Sequence, residues 1–245
     1  MLVIQNHNFA DSPRIVNVGP SKIVSATMYN KTTLTCDAEG NPPPQYQWLQ
    51  KLPTQEVLIR SYTKDLVIQN VTYAYQGEFV CKAVNIINGQ KRPVQSEPIK
   101  LEVSGAPQVI RHHSEKSVVV SIGDEAVLEV PFCANPRSNQ TWHLGDMEDP
   151  ASANTIILAA GTGHGRFHAE SAKAYVLNSN KKRDHCYIST LRIKGAHPTD
   201  SRVYKLLLSN AHGVDQHLVR LAVKGKFRIC LGYHQILYKD LFWRV

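Results

Sequence analysis

The stretch that decides the fold runs from Leu34-Thr35-Cys36 to Gly77-Glu78-Phe79-Val80-Cys81, with Trp48 between the two cysteines. Leu34 and Cys36 share one face of a predicted strand, because side chains alternate between the two faces of a strand. Trp48 follows Cys36 by 12 residues, and Cys81 follows Trp48 by 33. Short apolar runs of this kind, separated by turns rich in glycine and proline, predict an all-β chain.

Further motifs extend the pattern around these cysteines. They are Gly40-Asn-Pro-x-Pro44, Leu66-x-Ile68 and Ala83-x-Asn85. Together with the cysteines and Trp48, they resemble an immunoglobulin domain of the I-set, which is common in cell-adhesion receptors. The resemblance implies a β-sandwich in which a Cys36–Cys81 disulfide joins the two sheets over the buried Trp48. Phe79 stands where this fold usually carries a corner tyrosine.

A second copy of the pattern follows, with its cysteines displaced. Trp142 lies 12 residues after Val130, as Trp48 lies after Cys36. Asp200-Ser-Arg-Val-Tyr204-Lys-Leu206 resembles the corner that usually precedes the second cysteine. The comparison predicts an apolar pair in place of the inter-sheet bridge and a corner tyrosine beside it. The predicted core residues of the two copies are Trp48, Trp142, Val130, Leu206 and Tyr204.

The other two cysteines of this second copy are Cys133 and Cys186. The strands that carry them are antiparallel neighbours in the immunoglobulin fold, and a register that pairs Leu128 with Leu191 also places Cys133 opposite Cys186. Each cysteine is five residues from the inward leucine on its own strand, so it lies on the opposite face of that strand. We therefore expect a Cys133–Cys186 bridge on the outer face, with two buried or free thiols as the alternative.

These patterns predict two tandem immunoglobulin-like β-sandwiches, at residues 13–103 and 104–224, the second lacking the usual inter-sheet disulfide. A length of 245 residues suits two domains. Residues 1–12 resemble the remnant of a preceding domain, because Leu2 to Asn6 repeat residues 66–70; an ordinary first strand with a chance repeat is the alternative.

The last segment, residues 225–245, is rich in aromatic and apolar residues and contains a lone Cys230. Its residues show no immunoglobulin pattern. The segment is predicted to be either an aberrant or alternative C-terminal tail or the start of a further domain. An unpaired cysteine is unusual in a secreted protein, and the sequence leaves the pairing state of Cys230 open.

Three glycosylation sequons occur, at Asn30, Asn70 and Asn139, each in a predicted turn or strand end. With cysteines spaced for bridges, they favour an oxidising, extracellular setting. No run of 18 or more apolar residues is present, so no membrane span is predicted. We expect an extracellular, glycosylated part of the ectodomain of a plasma-membrane receptor.

Charge and motif content argue against catalysis and nucleic-acid binding. The net charge of +8 is spread thinly, and the only dense basic run is Lys181-Lys182-Arg183. This run is predicted to be a solvated loop, with a contact for acidic glycans or an acidic partner as the alternative. His164 and His168 lie in a glycine-rich loop without a carboxylate, so no metal is expected. No nucleophile motif, cofactor motif or nucleic-acid motif is present.

The predicted function is non-catalytic cell–cell recognition, homophilic or heterophilic, with other immunoglobulin-superfamily surface proteins as partners. The resemblance is to adhesion receptors of the echinoid, nephrin and irregular-chiasm type. It implies a candidate interface on the CFG face of the first domain, the sheet face formed by strands C, F and G. The alternatives are an extracellular-matrix module that binds acidic glycans and a soluble immune recognition protein. The candidate interface residues are Gln47, Leu49, Lys82 and Val84.

Overall fold

A computed structural model describes residues 9–145, 156–176 and 182–225. The predicted N-terminal remnant as far as residue 8, Lys181, and the tail from residue 226 with Cys230 lie outside the described residues. The described chain consists of β-strands, turns and short 3-10 segments, which confirms the predicted all-β fold. Among the described residues, no helix has the length and apolar character needed to cross a bilayer.

The first half of the chain forms two sheets. One contains β1, β3 and β6; the other contains β5, β4, β7, β8, β9 and β2. A 3-10 turn at Tyr73–Tyr75 connects β6 to β7. The strands are β1 (Asp11–Gly19), β2 (Ile23–Thr27), β3 (Thr32–Asn41), β4 (Gln45–Lys51), β5 (Val57–Ser61), β6 (Asp65–Ile68), β7 (Gly77–Ile87), β8 (Gln90–Gln95) and β9 (Ile99–Val109).

The second half forms a sheet in the order β10-β19-β18-β12-β13, packed on a sheet of β11 and β17 with the added edge strands β14, β15 and β16. Further 3-10 turns lie at Arg111–His113 and Pro198–Asp200. The strands are β10 (Ser117–Ser121), β11 (Ala126–Asn135), β12 (Asn139–Leu144), β13 (Ile156–Ala159), β14 (Gly163–His164), β15 (Phe167–Ala169), β16 (Lys173–Val176), β17 (Lys182–Ile193), β18 (Val203–Asn210) and β19 (Gly213–Lys224).

The core of the first sandwich is built around Trp48. Its side chain is fully buried, and its indole Nε1 donates a hydrogen bond to the carbonyl oxygen of Lys64 at 3.0 Å. Cys36 and Cys81 form a disulfide between the two sheets. Phe79 is fully buried in the same cluster, so this corner rests on packing where a tyrosine would add a hydrogen bond.

The core of the second sandwich is built around Trp142, which lies directly opposite Leu206 in the β12–β18 pair. Val130 and Leu206 are fully buried in one cluster with Trp142, and no disulfide joins these two positions. The hydroxyl of Tyr204 donates to the carbonyl oxygen of Asp200 at 3.0 Å, which closes the corner. The second half is therefore a sandwich held by apolar packing in place of the usual inter-sheet bridge.

One strand, β9, serves both sandwiches. Its first residues pair with β7 and its last residues pair with β11, so a single sheet runs through both halves. The boundary predicted between residues 103 and 104 lies inside this strand. At the other end of the first half, Asp11 and Ser12 belong to β1 and pair with its sandwich, although the sequence pattern placed them in a preceding domain.

Each sandwich fixes its first strand in the same way. In each half, an asparagine amide donates to one carbonyl on the first strand and to a second carbonyl on a proline of the turn before the tryptophan strand. The carbonyl oxygen of Gly105 is therefore the acceptor in the second sandwich that corresponds to the carbonyl oxygen of Asp11 in the first. The bonds run from Asn85 Nδ2 to Asp11 O (2.7 Å) and Pro42 O (3.0 Å), and from Asn210 Nδ2 to Gly105 O (2.9 Å) and Pro136 O (2.9 Å).

Candidate protein-binding face

The CFG face of the first sandwich is the outward side of β4, β7 and β8, with β5 at its edge. Residues directly opposite on neighbouring strands share a face of the sheet. Gln47 lies opposite Lys82, and Leu49 lies opposite both Val80 and Ile59. The structure thus brings the predicted residues Gln47, Leu49, Lys82 and Val84 onto one face, each half-buried.

Apolar side chains extend this face in both directions. Ile59 on β5 is 48% exposed and Ile86 at the end of β7 is 55% exposed. Between them, Val80 is almost fully buried and Leu49 is half-buried. Gln47 and Lys82 lie between the two apolar pairs, Leu49 with Ile59 and Val84 with Ile86. Exposed apolar side chains among polar ones, on a chain that also buries two complete cores, are typical of a protein-binding site.

A groove of about 810 Å3 opens at the end of this face farthest from the second sandwich. One wall is the Pro42–Pro44 turn, and the other comes from the end of β7 and from β8. Asn85 fixes the first wall, because its amide bonds to Pro42 O and Asp11 O tie the turn to β1 and β7. The side chains that line the groove include Gln47, Tyr62, Lys82, Val84, Ile86, Lys91 and Pro93.

The three sequon asparagines are all exposed, but they lie on different surfaces. Asn30 and Asn70 are adjacent, because the Val71 amide donates to the Asn30 carbonyl oxygen at 3.1 Å. They lie on turns beside β3 and β6, away from the CFG face of the first sandwich. Asn139 opens β12 and points outward opposite Ser209, on the corresponding face of the second sandwich.

The basic run predicted as a solvated loop has a different role at Arg183. Its guanidinium Nη2 donates to the carbonyl oxygen of Tyr73 in the first sandwich at 3.0 Å, and burial lowers the pKa of this group. The next residue, Asp184, pairs with Lys100 at 3.3 Å. Lys182 is exposed, whereas Lys181 lies outside the described residues. Arg183 therefore joins the two sandwiches and is not free for a glycan.

The second disulfide lies at the same joint. Cys133 and Cys186 are opposite each other in the β11–β17 register with Cα atoms 4.0 Å apart, and Leu128 lies opposite Leu191 as expected. Each cysteine is nevertheless buried, at 2% exposed, which the sequence pattern did not predict. Parity places both side chains outside the second sandwich, but β9 and the first sandwich cover that surface, and the bridge belongs to the apolar cluster of the first half.

Tyr73 completes the joint. Its hydroxyl donates to the carbonyl oxygen of Gly105 at 3.1 Å and accepts from the Asn135 amide at 2.9 Å. Burial raises the pKa of this hydroxyl, which keeps it protonated as a donor. Gln76 adds a bond from Nε2 to Asp184 O at 3.3 Å. These contacts, with the unbroken β9, hold the two sandwiches against each other.

Comparison with known proteins supports the same fold. The family described as "Immunoglobulin domain" matches residues 12–85. The chain is 26% identical over 231 residues to neural cell adhesion molecule 1 of Gallus gallus, which covers 89% of this chain. It is also 26% identical over 224 residues to matrix-remodeling-associated protein 5 of Homo sapiens, which covers 88% of this chain. Residues 12–85 therefore form an immunoglobulin domain, and the chain is similar to immunoglobulin-domain adhesion and matrix proteins along most of its length.

A solved immunoglobulin structure has a similar fold. The crystal structure titled "Dpr2 Ig1-Ig2 in complex with DIP-Theta Ig1-Ig3" superposes with a TM-score of 0.52 and 20% identity, over 87% of this chain and 65% of that chain. The likeness shows the fold. The chain spans 19% of the length of the chicken adhesion molecule and 7% of the human matrix protein. The family match and the adhesion relatives confirm the prediction that these immunoglobulin domains are not catalytic.

Two further observations concern the remaining predictions. In the parts of the chain that the structure describes, no group of three or more His, Cys, Asp or Glu side chains is placed to hold a metal ion. His164 lies opposite Phe167 in the β14–β15 hairpin. The sequence interpretation missed Ile86 and the proline walls of the groove, although the alternation Lys82-x-Val84-x-Ile86 already continues the predicted face by one step.

Proposed function

We propose that this chain is an extracellular recognition module that binds an immunoglobulin-superfamily surface protein through the CFG face of its first domain. The observation that carries the proposal is an apolar face, with Ile59 and Ile86 exposed on either side of Leu49 and Val84, that ends in a preformed groove. Burial of such side chains is the main favourable contribution to protein association.

The positions of the sequons support the first domain over the second. A glycan on Asn139 would project from the CFG face of the second domain, where it would obstruct a partner. Glycans on Asn30 and Asn70 would project beside β3 and β6 and leave the CFG face of the first domain clear. The adhesion molecule among the relatives supports the same class of function.

The contacts at the joint support a further part of the proposal, in which the two domains form a stiff rod that presents this face to the partner. The groove lies at the end of β7, whereas Gln76, just before β7, contacts the second domain. The strand spans 11 residues, so the groove stands roughly 30 Å from the joint. Weak contacts of single faces would be strengthened by many copies on two apposed membranes.

The experiment compares two exposed aliphatic residues on edge strands of the same domain. Ile59→Asp places a carboxylate on the CFG face, and Val67→Asp does so on β6 of the opposite sheet, where Val67 is 43% exposed. The multimerised chain is applied to cells that each display one immunoglobulin-superfamily ectodomain, this chain included. We expect Ile59→Asp to abolish retention and Val67→Asp to preserve it. Equal retention of both variants would refute the proposed face.

A matrix module is the second candidate, because one relative is matrix-remodeling-associated protein 5. Heparin retention that is lost on neutralising Lys181 and Lys182 would favour it. Burial of Arg183 in the joint removes one of the three charges on which glycan binding was predicted to rest. This candidate therefore has less support than recognition through the CFG face.

A further inference from the structure

The groove on the first domain carries a charge pattern that identifies the class of its occupant. Lys82 and Lys91 both line it, and its lining contains no carboxylate among the residues that the structure describes. Within the described part of the chain, neither lysine forms an ion pair. Two positive charges without a carboxylate between them therefore lie beside the apolar walls of the same groove.

The apolar walls determine what else the occupant must offer. The groove has three prolines at Pro42–Pro44 on one side, Pro93 and Ile86 on the other, and Tyr62 at its edge. Proline and isoleucine offer no side-chain hydrogen bonds, so these walls favour apolar side chains of the occupant, while Gln45, Gln47 and Tyr62 can bond to its polar groups. A protein segment can supply apolar side chains and carboxylates together.

We propose that the groove binds an acidic, apolar segment of a different protein, so that recognition through the CFG face is heterophilic. This inference rests on the proposed function and specifies its partner. Carboxylates of the partner would pair with Lys82 and Lys91, while its apolar side chains pack against Val84, Ile86 and the proline turn. Charge complementarity of this kind sets specificity and association rate more than total affinity.

The same charges disfavour a second copy of this chain as the occupant. A two-fold contact uses the same patch on both molecules. A contact centred on the groove would therefore bring Lys82 and Lys91 of one copy towards those of the other, with no carboxylate of either groove between them. Glu78 is on the same strand but lies opposite Lys51, four residues from Lys82 and roughly 13 Å away.

The test uses charge reversal with a matched control in the same domain. The double variant Lys82→Glu/Lys91→Glu reverses both groove charges. The variant Lys22→Glu/Lys31→Glu changes the net charge by the same amount at two exposed lysines away from the groove. The multimerised full chain is applied to cells displaying individual immunoglobulin-superfamily ectodomains, to cells displaying this chain, and to an immobilised heparin-derived hexasaccharide.

We expect retention on a foreign ectodomain to weaken about tenfold or more for the groove variant and to change little for the control. We also expect wild-type retention to fall as NaCl rises from 0.15 to 1 M, since screening shortens the range of charge pairs from about 8 to 3 Å. Equal retention of the groove variant and the control would overturn the acidic partner, while loss in Ile59→Asp would still support the proposed face.

Two other outcomes would also overturn the inference. The first is wild-type retention on cells displaying this chain, lost in Ile59→Asp, which would make the contact homophilic. The second is retention on the hexasaccharide that is lost in the groove variant while retention on every ectodomain is unchanged, which would make the groove a glycan site. Loss of ectodomain retention in the Val67→Asp control as well would count against the proposed function itself.

Discussion

Arg183 in the second domain donates a hydrogen bond from Nη2 to the carbonyl oxygen of Tyr73 in the first domain, at 3.0 Å. Arg183 lies near the start of β17, and the Cys133–Cys186 bridge fastens β17 to β11 three residues later. The displaced cysteines therefore fix the start of β17, which contacts the neighbouring domain, to β11. This explains why the bridge lies outside the second core, which Val130 and Leu206 fill without it.

The first prediction concerns Arg183→Ala. The substitution removes a hydrogen bond to a charged donor, which is worth about 1.5–3 kcal/mol, and opens space at the joint. We expect a wider distribution of angles between the two domains, measured by small-angle scattering and by residual dipolar couplings. Lys182→Ala, at the exposed neighbour, should leave the angle unchanged. Identical scattering for both variants would show that β9 and the other joint contacts set the angle without Arg183.

The second prediction concerns the bridge itself. Cys133→Ser/Cys186→Ser opens a loop with a sequence separation of 53, so chain entropy alone predicts a loss of about 4 kcal/mol in unfolding free energy. We expect this loss in denaturant unfolding of the second domain, together with a looser joint. A loss below about 1 kcal/mol would show that packing around β9 holds β17 against β11 without the bridge.

Sequence patterns determined the two cores and the strand register but not the joint. Cys36, Trp48 and Cys81 fix the first sandwich, and the spacing from Val130 to Trp142 locates the second. Parity shows which side of a sheet Cys133 faces. It cannot show that a neighbouring domain covers that side, because covering depends on residues far away in the chain.

The groove could be predicted only in part, for a related reason. Gln47, Lys82 and Val84 come from the two strands that the motifs identify. Tyr62, Lys91 and Pro93 come from elements without a motif, and they meet the others only in the folded sheet. A site assembled from separate strands gives no single spacing for a sequence to display.

The third prediction concerns Tyr204 at the corner of the second domain. Burial raises the pKa of its hydroxyl from 10 to about 12. The unfolded chain then releases this proton first, so the contribution of Tyr204 to stability is present below pH 10 and is lost between about pH 10 and 12. The slope approaches 1.4 kcal/mol per pH unit. Measurements of unfolding free energy across this range should show it.

Comparing the unfolding free energy of Tyr204→Phe with that of the wild type, across the same pH range, isolates this contribution. The variant should lose about 1 kcal/mol at neutral pH, because the bond to the Asp200 carbonyl oxygen disappears. Above pH 10 its stability should fall less steeply than that of the wild type. The exposed Tyr62→Phe serves as the control, with the wild-type slope expected. Parallel curves for Tyr204→Phe and wild type would contradict the assignment.

The fourth prediction uses a glycan as a steric block. Lys82→Asn/Val84→Thr creates the sequon Asn-Ala-Thr on the CFG face of the first domain, while Lys82→Asn/Val84→Ala changes the same positions without a sequon. Occupancy is read from the mass of the secreted chain, and binding from retention on cells that display a bound ectodomain.

We expect the glycosylated variant to lose all retention. The variant without the sequon should keep a weakened fraction, because it lacks one groove charge and part of the Val84 side chain but has no glycan to block the groove. Asn139→Gln should retain full binding, since Asn139 lies on the second domain. Full retention of the fully glycosylated variant would exclude the CFG face of the first domain, and stronger retention of Asn139→Gln than of the wild type would point to the second domain instead.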